Sequence, residues 1–296
     1  VLVQYPGGYG DSYVIPSSVT SIKNRAFAGC AALTSVTFES PSSATSIGNA
    51  AFSGCSSLTS VTIPSSVTSI GHLAFTNCSS LTSLTIPASV TSIGIQTFLN
   101  CSDLTSVTIP SSMTSIEGRA FENCDSLVSA CFEGDAPAMA ENVFLSAAPG
   151  LTVYYLTGST GFDSPPWDGY PRVEIDPSAH PAAIWLLTHA LPYDTDLHQD
   201  LTGDGVDLLM AYALNLDPNS ALAGMPVPML APGTLSLTFH GAAQGVTYGA
   251  ETSTDCQTWE TTGVTVSDLD PANMRTATVN RDTTRRFLRL TFGMSP

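Results

Sequence analysis

Charge is scarce in this chain of 296 residues. Nine lysines and arginines face 25 aspartates and glutamates, 11% of residues are charged, and the formal net charge is -16. No Lys or Arg occurs between Val173 and Met274. A nucleic-acid partner requires a basic footprint to displace phosphate counterions, so this balance argues against one. Arg275, Arg281, Arg285, Arg286 and Arg289 gather near the C-terminus, where they are expected on solvated strand faces beside acidic neighbours. The sequence also lacks any run of 18 apolar residues, and so any predicted membrane-spanning helix, and shows no secretory leader at its start. Catalytic patterns are missing as well. The five histidines, His72, His180, His189, His198 and His240, form no H-E-x-x-H and flank no nucleophile motif. His180, His189 and His198 recur every nine residues, which does not put them on one helical face. A G-x-S-x-G elbow and a phosphate-binding glycine loop are absent, and GGYG from Gly7 reads as a turn. These absences leave a non-enzyme whose solvated surface is mostly Ser, Thr, Asn and Gly. The 43% hydrophobic and 8% aromatic content suffices for packed cores in two or three domains.

What is present is a repeat. VTIPSSVTSIGHLAFTNCSSLTS, from Val61 to Ser83, recurs as LTIPASVTSIGIQTFLNCSDLTS from Leu84 and as VTIPSSMTSIEGRAFENCDSLVS from Val107. Two earlier copies share the register, one ending at Ser35 and one from Val36 to Ser60 with two extra residues. A fixed period of 23 residues predicts a solenoid, because one coil cannot bury its apolar side without neighbours. Leu81, Leu84 and Ile86 read as a strand facing inward, with Thr82, Ser83 and Thr85 alternating outward. Pro87 ends that strand by removing a ladder donor, and Val90 and Ile93 form a second short inward edge. Phe27, Phe52, Phe75, Phe98, Phe121 and Phe144 recur at intervals of 25, 23, 23, 23 and 23 and are expected to stack as a spine. VLVQYP at the start fits the end of a repeat strand, with Val3, Tyr5 and Pro6 in the places of Val61, Ile63 and Pro64, which suggests that the chain opens in mid-pattern.

The I-P-S-S-V-T-S-I-G-x-x-A-F-x-x-C-S-S-L-T-S unit resembles the BspA-like leucine-rich repeats of bacterial surface proteins over about the first half of the chain. The resemblance implies a secreted or surface-attached protein that binds other proteins or glycans.

Five of the seven cysteines, Cys30, Cys55, Cys78, Cys101 and Cys124, share one repeat position. They are expected to be free thiols, small buried groups that satisfy loop backbone, rather than disulfides or ligands, since stacked coils offer a line and no tetrahedral pocket. Cys131 aligns with the outward Thr108, and Cys256 lies far away in sequence.

From Ala130 the pattern decays. LTVYY, Leu151 to Tyr155, reads as a closing strand that ends a solenoid spanning 1–155, and 156–178 as an irregular cap over the open core, although Trp167 and Tyr170 could instead stack on a sugar ring. Residues 179–218 read as two helices, AAIWLLTHAL before Pro192 and a second from Asp207 to Leu214. Between them, Asp200-x-Thr202-x-Asp204-Gly205 matches the first half of a calcium loop and resembles a dockerin or single EF-hand, with Val206 at the backbone-ligand position. It departs from that pattern at Thr202, a weaker ligand, and at Ala211, where a bidentate Glu belongs. The same residues read equally as an Asx-turn with Asp207 capping the second helix. A Pro-rich linker covers 219–233, and alternating short runs in 234–296 predict a small β-sandwich. The expected fold is therefore mainly β: a leucine-rich-repeat solenoid, a short helical segment and a C-terminal β-sandwich-like domain.

Two surfaces stand out as candidates. Thr59, Ser60, Thr62, Thr82, Ser83, Thr85, Thr105, Ser106 and Thr108 form a hydroxyl carpet on the outward strand positions, suited to an extracellular glycan or an extended polypeptide and equally to plain strand chemistry. Positions that vary between near-identical coils, among them Arg25, His72, Gln96 and Arg119, form a stripe on the loop side. Function on this reading is non-enzymatic binding or adhesion at the cell surface. The alternatives are an accessory module of an extracellular carbohydrate-active assembly, docked through the Asp200 loop, and a spacer without a ligand.

Overall fold

A computed structural model describes residues 1, 12–163, 167, 169–189, 191, 193, 195–199, 208–214, 226, 228–231, 234–253, 258–280 and 287–294. The chain divides into two compact units, Val1–Tyr193 and Asp194–Pro296.

The first unit is the solenoid. Each coil contributes one strand to a broad parallel sheet and a two-residue strand to a narrow one. The broad sheet runs through Ser12–Ile15, Ser35–Phe38 and Ser60–Val61, crosses a single bridge between Thr62 and Thr85, and continues through Ser83–Thr85, Ser106–Ile109, Ser129–Phe132, Thr152–Leu156 and Arg172–Ile175. The narrow sheet joins Ser21–Ile22, Ser46–Ile47, Ser69–Ile70, Ser92–Ile93, Ser115–Ile116 and Ala138–Met139. Register reproduces the sequence period: Ser83 pairs with Ser106, Ser106 with Ser129, and Ser92 with Ser115. The two extra residues of the second coil are also localised. Ser12 pairs with Ser35 but Ser35 with Ser60, and Ser21 with Ser46 but Ser46 with Ser69, so the insertion falls in the turn between Phe38 and Ser46.

Alternation puts the apolar residues inside. Leu81, Leu84, Ile86, Val90 and Ile93 are all buried, and the six phenylalanines stack face to face with centroids 4.7, 5.1, 5.5, 5.2 and 5.5 Å apart. The C-terminal end of this core is closed by aromatics. Trp167 is buried, edge-on to Phe132 at 5.1 Å and tilted against Phe162 at 5.0 Å, while Phe162 stacks on Tyr155 at 4.5 Å. With its ring in the core, Trp167 is not open to a sugar. The segment 156–178 is also more regular than an irregular cap, since Arg172–Ile175 pairs in parallel with Thr152–Leu156.

Helix α1, Ala183–Thr188, belongs to this first unit and packs across the outer side of the strands Ser106–Ile109 and Ser129–Phe132. Ala183 and Leu187 join Cys131 and Ile175 in a small apolar cluster of their own. Helix α2, Leu208–Leu214, lies in the second unit, where Leu214 packs with Phe239, Ala250 and Ala277. The expected two-helix segment 179–218 is therefore split. Each helix buries its apolar face against the sheet nearest in its own unit, and a pair of such short helices offers too little surface to form a core alone.

The second unit holds two antiparallel sheets. One orders Pro228–Ala231, Thr234–His240, Met274–Asn280 and Val264–Val266, and the other pairs Val246–Ser253 with Phe287–Met294. Pro228–Ala231 extends the β region into the expected linker; as an edge strand it tolerates a residue without an N–H. Arg289 pairs with Glu251 at 2.6 Å and lies over the Trp259 ring, and Arg275 donates to the carbonyls of Gly241 and Ser267, so both are held by their neighbours.

Candidate functional site

The hydroxyl carpet is divided by α1. Thr59, Ser60, Thr62, Thr82 and Thr85 are exposed on the outer face of the broad sheet and Thr105 is half-buried at its margin. Ser106 and Thr108 are only 3% and 8% exposed, because α1 covers them and Ser106 donates to the Thr188 carbonyl at 2.8 Å. Their expected place in a solvated binding face is corrected: from Ser106 onward that face is an intramolecular interface. Cys131 points outward as expected but is buried there too. The hydroxyls of Thr59, Thr82 and Thr105 each donate to the carbonyl one coil back, Thr34, Thr59 and Thr82, at 3.1 to 3.3 Å. Their protons are committed to the solenoid, so this row can only accept hydrogen bonds from a partner.

The loop-side residues form a different stripe, on the turn that follows the narrow sheet, and they do not join the carpet in one site. Arg25, Gln96 and Arg119 occupy a left-handed turn position, with φ of 60°, 54° and 59°. Their N–H groups bond to Asn49, Gly118 and Glu141 of the following coil. The side chains of Arg25 and Arg119 are exposed, and Arg119 lies 3.6 Å from Glu122.

His72 has a structural role that sequence reasoning missed. Asn24 Oδ1 accepts from the Asn49 N–H at 2.8 Å, Asn49 Oδ1 from the His72 N–H at 3.0 Å, and His72 Nδ1 from the Ile95 N–H at 2.9 Å. This ladder explains a pattern visible in the sequence: Gly48, Gly71 and Gly94 stand one coil after Asn24, Asn49 and His72, and after Ile95 the glycine gives way to Glu117. A Cβ at Gly71 would meet Asn49 N at 2.6 Å and the Gly48 carbonyl carbon at 2.8 Å, while one at Gly94 would meet His72 Nδ1 at 2.8 Å with backbone no closer than 3.2 Å. Gly71→Ala is therefore expected to cost about 1 to 3 kcal/mol by overpacking. Gly94→Ala should cost less and be largely rescued by His72→Ile, as urea unfolding of the two single variants and the double variant would measure.

The cysteine column satisfies backbone. Cys55, Cys78, Cys101 and Cys124 donate from Sγ to the carbonyls of Phe27, Phe52, Phe75 and Phe98 at 3.1 to 3.3 Å, and all four are free thiols. Burial pushes Cys55, Cys124 and Cys131 up to about 12 and raises Cys78 and Cys101 as well. Such thiols are poor nucleophiles at neutral pH. Cys256 lies outside the described residues.

Among the described residues no group of three or more His, Cys, Asp or Glu is placed to hold a metal ion. The calcium-type positions Asp200, Thr202, Asp204 and Val206, together with Asp207, fall outside the described residues, as do Val3, Tyr5, Pro6 and the Gly7 turn. Among the described residues no helix is long and apolar enough to cross a membrane.

The stacked parallel coils, leucine-bearing strands and phenylalanine spine define a leucine-rich-repeat solenoid. Residues 10–128 match, in six copies, the family described as BspA type leucine rich repeat region. The chain is similar to a leucine rich cell surface protein from Faecalibacterium prausnitzii A2-165, with 37% identity over 49% of this chain and 38% of that one, at a TM-score of 0.45. It is also similar to the T. pallidum leucine rich repeat protein, with 27% identity over 51% of this chain and 76% of that one, at a TM-score of 0.41. A leucine-rich repeat protein from Bacteroides ovatus shares 21% identity over 55% and 60% of the two chains, at a TM-score of 0.31. The chain thus spans well under half the length of the Faecalibacterium protein. No curated protein matches it.

Proposed function

We propose that this is a non-enzymatic recognition protein of the bacterial cell surface, which binds an extracellular protein or glycan through the open part of its broad sheet. The observation that carries the reading is the division of that sheet: α1 closes the outer face from Ser106 onward, while Thr59, Ser60, Thr62, Thr82 and Thr85 stay exposed before it. A parallel sheet of hydroxyl-bearing side chains spaced about 4.8 Å apart gives a regular, uncharged contact surface that suits an extended partner. The match to BspA-type repeats supports the surface location and the binding role. The loop-side residues Arg25, Gln96 and Arg119 stand apart from this face and enter the proposal only as a second contact.

An array of extracellular matrix proteins and glycans, probed with the full chain, tests the reading. Thr62→Arg and Thr85→Arg should each lower binding to the captured partner about tenfold or more without moving the melting temperature. Thr91→Arg, on the narrow-sheet side, should leave binding unchanged. Binding indifferent to both broad-sheet variants would overturn the proposed face, and silence of the whole array would favour a spacer.

A further inference from the structure

A groove lies against the turn that carries the two extra residues of the second coil. It has a volume of about 580 Å³ and is lined by the turn from Phe38 to Ser42 and by Thr62, Pro64 and Ser66 of the next coil. Small-molecule sites commonly measure roughly 300 to 1,000 Å³. We infer that this groove is a binding site for an uncharged pyranose ring. The inference deepens the recognition reading given above and rests on it only in taking the solenoid as the binding element.

Three observations carry it. The first is an unused donor. In the regular coils the serine two residues after the strand-ending proline donates to a carbonyl one coil back, Ser89 to Val67 and Ser112 to Val90. The equivalent partner of Ser66 would be the Ala44 carbonyl, in the coil that carries the insertion. Ser66 Oγ is left buried with no hydrogen-bond partner. A buried hydroxyl is costly to leave unpaired, so a ligand oxygen seated here gains what the coil has lost. The second is apolar surface. Ile63, Ile86 and Ile109 fill the last inward position of their strands and are buried, whereas Phe38 in the same position is half-buried and lines the groove with Pro41 and Pro64. Such surface suits the C–H face of a sugar ring. The third is charge. Glu39 lines the groove, its Oε2 accepts from the Ser17 N–H at 2.8 Å, and that bond holds its carboxyl below the ordinary range. A carboxylate accepts hydrogen bonds from vicinal hydroxyls. No Lys or Arg lines the groove, which leaves an anionic ligand without a counter-charge.

Saturation-transfer NMR on the full chain with methyl gluco-, galacto- and mannopyranosides, and with glucuronate as the charged counterpart, tests this. At least one neutral glycoside should receive saturation. Glu39→Gln and Ser66→Ala should each weaken that binding about tenfold, the value of one hydrogen bond. Ser66→Ala should leave the melting temperature equal or higher, because no bond is lost, whereas Ser89→Ala should lower it. No transfer to any neutral glycoside, transfer that survives both substitutions, or a preference for glucuronate would overturn the site. If the groove is silent while Thr85→Arg, which lies outside it, still abolishes binding to an array partner, this inference fails and the proposed sheet face stands.

Discussion

Replacing Phe75 by alanine is expected to cost about 3 to 5 kcal/mol, the usual loss for a buried aromatic truncated in a close-packed core. Phe75 is fully buried and touches two like rings, Phe52 at 5.1 Å and Phe98 at 5.5 Å. The cavity would have little freedom to collapse. The flanking coils are fixed by backbone bonds from Phe52 N to the Ala74 carbonyl, Phe75 N to Thr97 and Phe98 N to Ala120, so the rings on either side cannot close the gap. In a linear array stability is close to a sum of coils and interfaces, and an interior loss weakens two interfaces at once. Phe144, whose outer neighbour is Tyr170 edge-on at 6.0 Å instead of another stacked ring, should lose less on the same substitution. Urea unfolding followed by circular dichroism measures both. An unchanged midpoint for Phe75→Ala would contradict the stacked spine.

Raising the pH from 8 to 10 is expected to destabilise the solenoid by several kcal/mol. Five buried thiols, Cys55, Cys78, Cys101, Cys124 and Cys131, have their ionisation raised above the ordinary 9.0 by burial, three of them to about 12. In the unfolded chain a thiol ionises near its ordinary value, while the folded thiol keeps its proton. Above pH 9 the folded state therefore binds more protons, and its stability falls as pH rises toward 12. The contribution is fully present below about pH 8 and by pH 10 has lost about 1.4 kcal/mol per thiol. Five such thiols together lose about 7 kcal/mol, comparable with the 5 to 15 kcal/mol that stabilises a typical domain. Unfolding free energies measured at pH 7, 8, 9 and 10 should show the decline. A Cys78→Ala, Cys101→Ala double variant should be less stable at pH 7 yet have a shallower slope. A flat profile to pH 10 would contradict the buried, protonated column.

Much of the first unit can be read from the letters. The inward positions, the strand-ending proline, the spine and the backbone-satisfying thiols all follow from a period of 23 and from which residues stay apolar within it. The ladder through Asn24, Asn49 and His72 was legible too, in the glycines that follow each of them and in the glycine lost after Ile95, but the signal becomes interpretable only when one coil is laid on the next. The candidate face was half legible. Alternation predicts that Ser106 and Thr108 point outward, and they do; nothing in their own repeat distinguishes them from Thr62 and Thr85, which stay open.

The sequence by itself determined the coil: repetition fixes register, because each apolar side chain has one dry interior to share and a one-residue slip would expose them all. Only the tertiary structure decided where the repeat surface ends and where it breaks. Helix α1 docks on strands more than 50 residues earlier in the chain, and the groove beside the unpartnered Ser66 hydroxyl lies where a turn two residues longer than its neighbours meets the next coil. Both are meetings of residues distant in sequence, and such meetings leave no periodic trace.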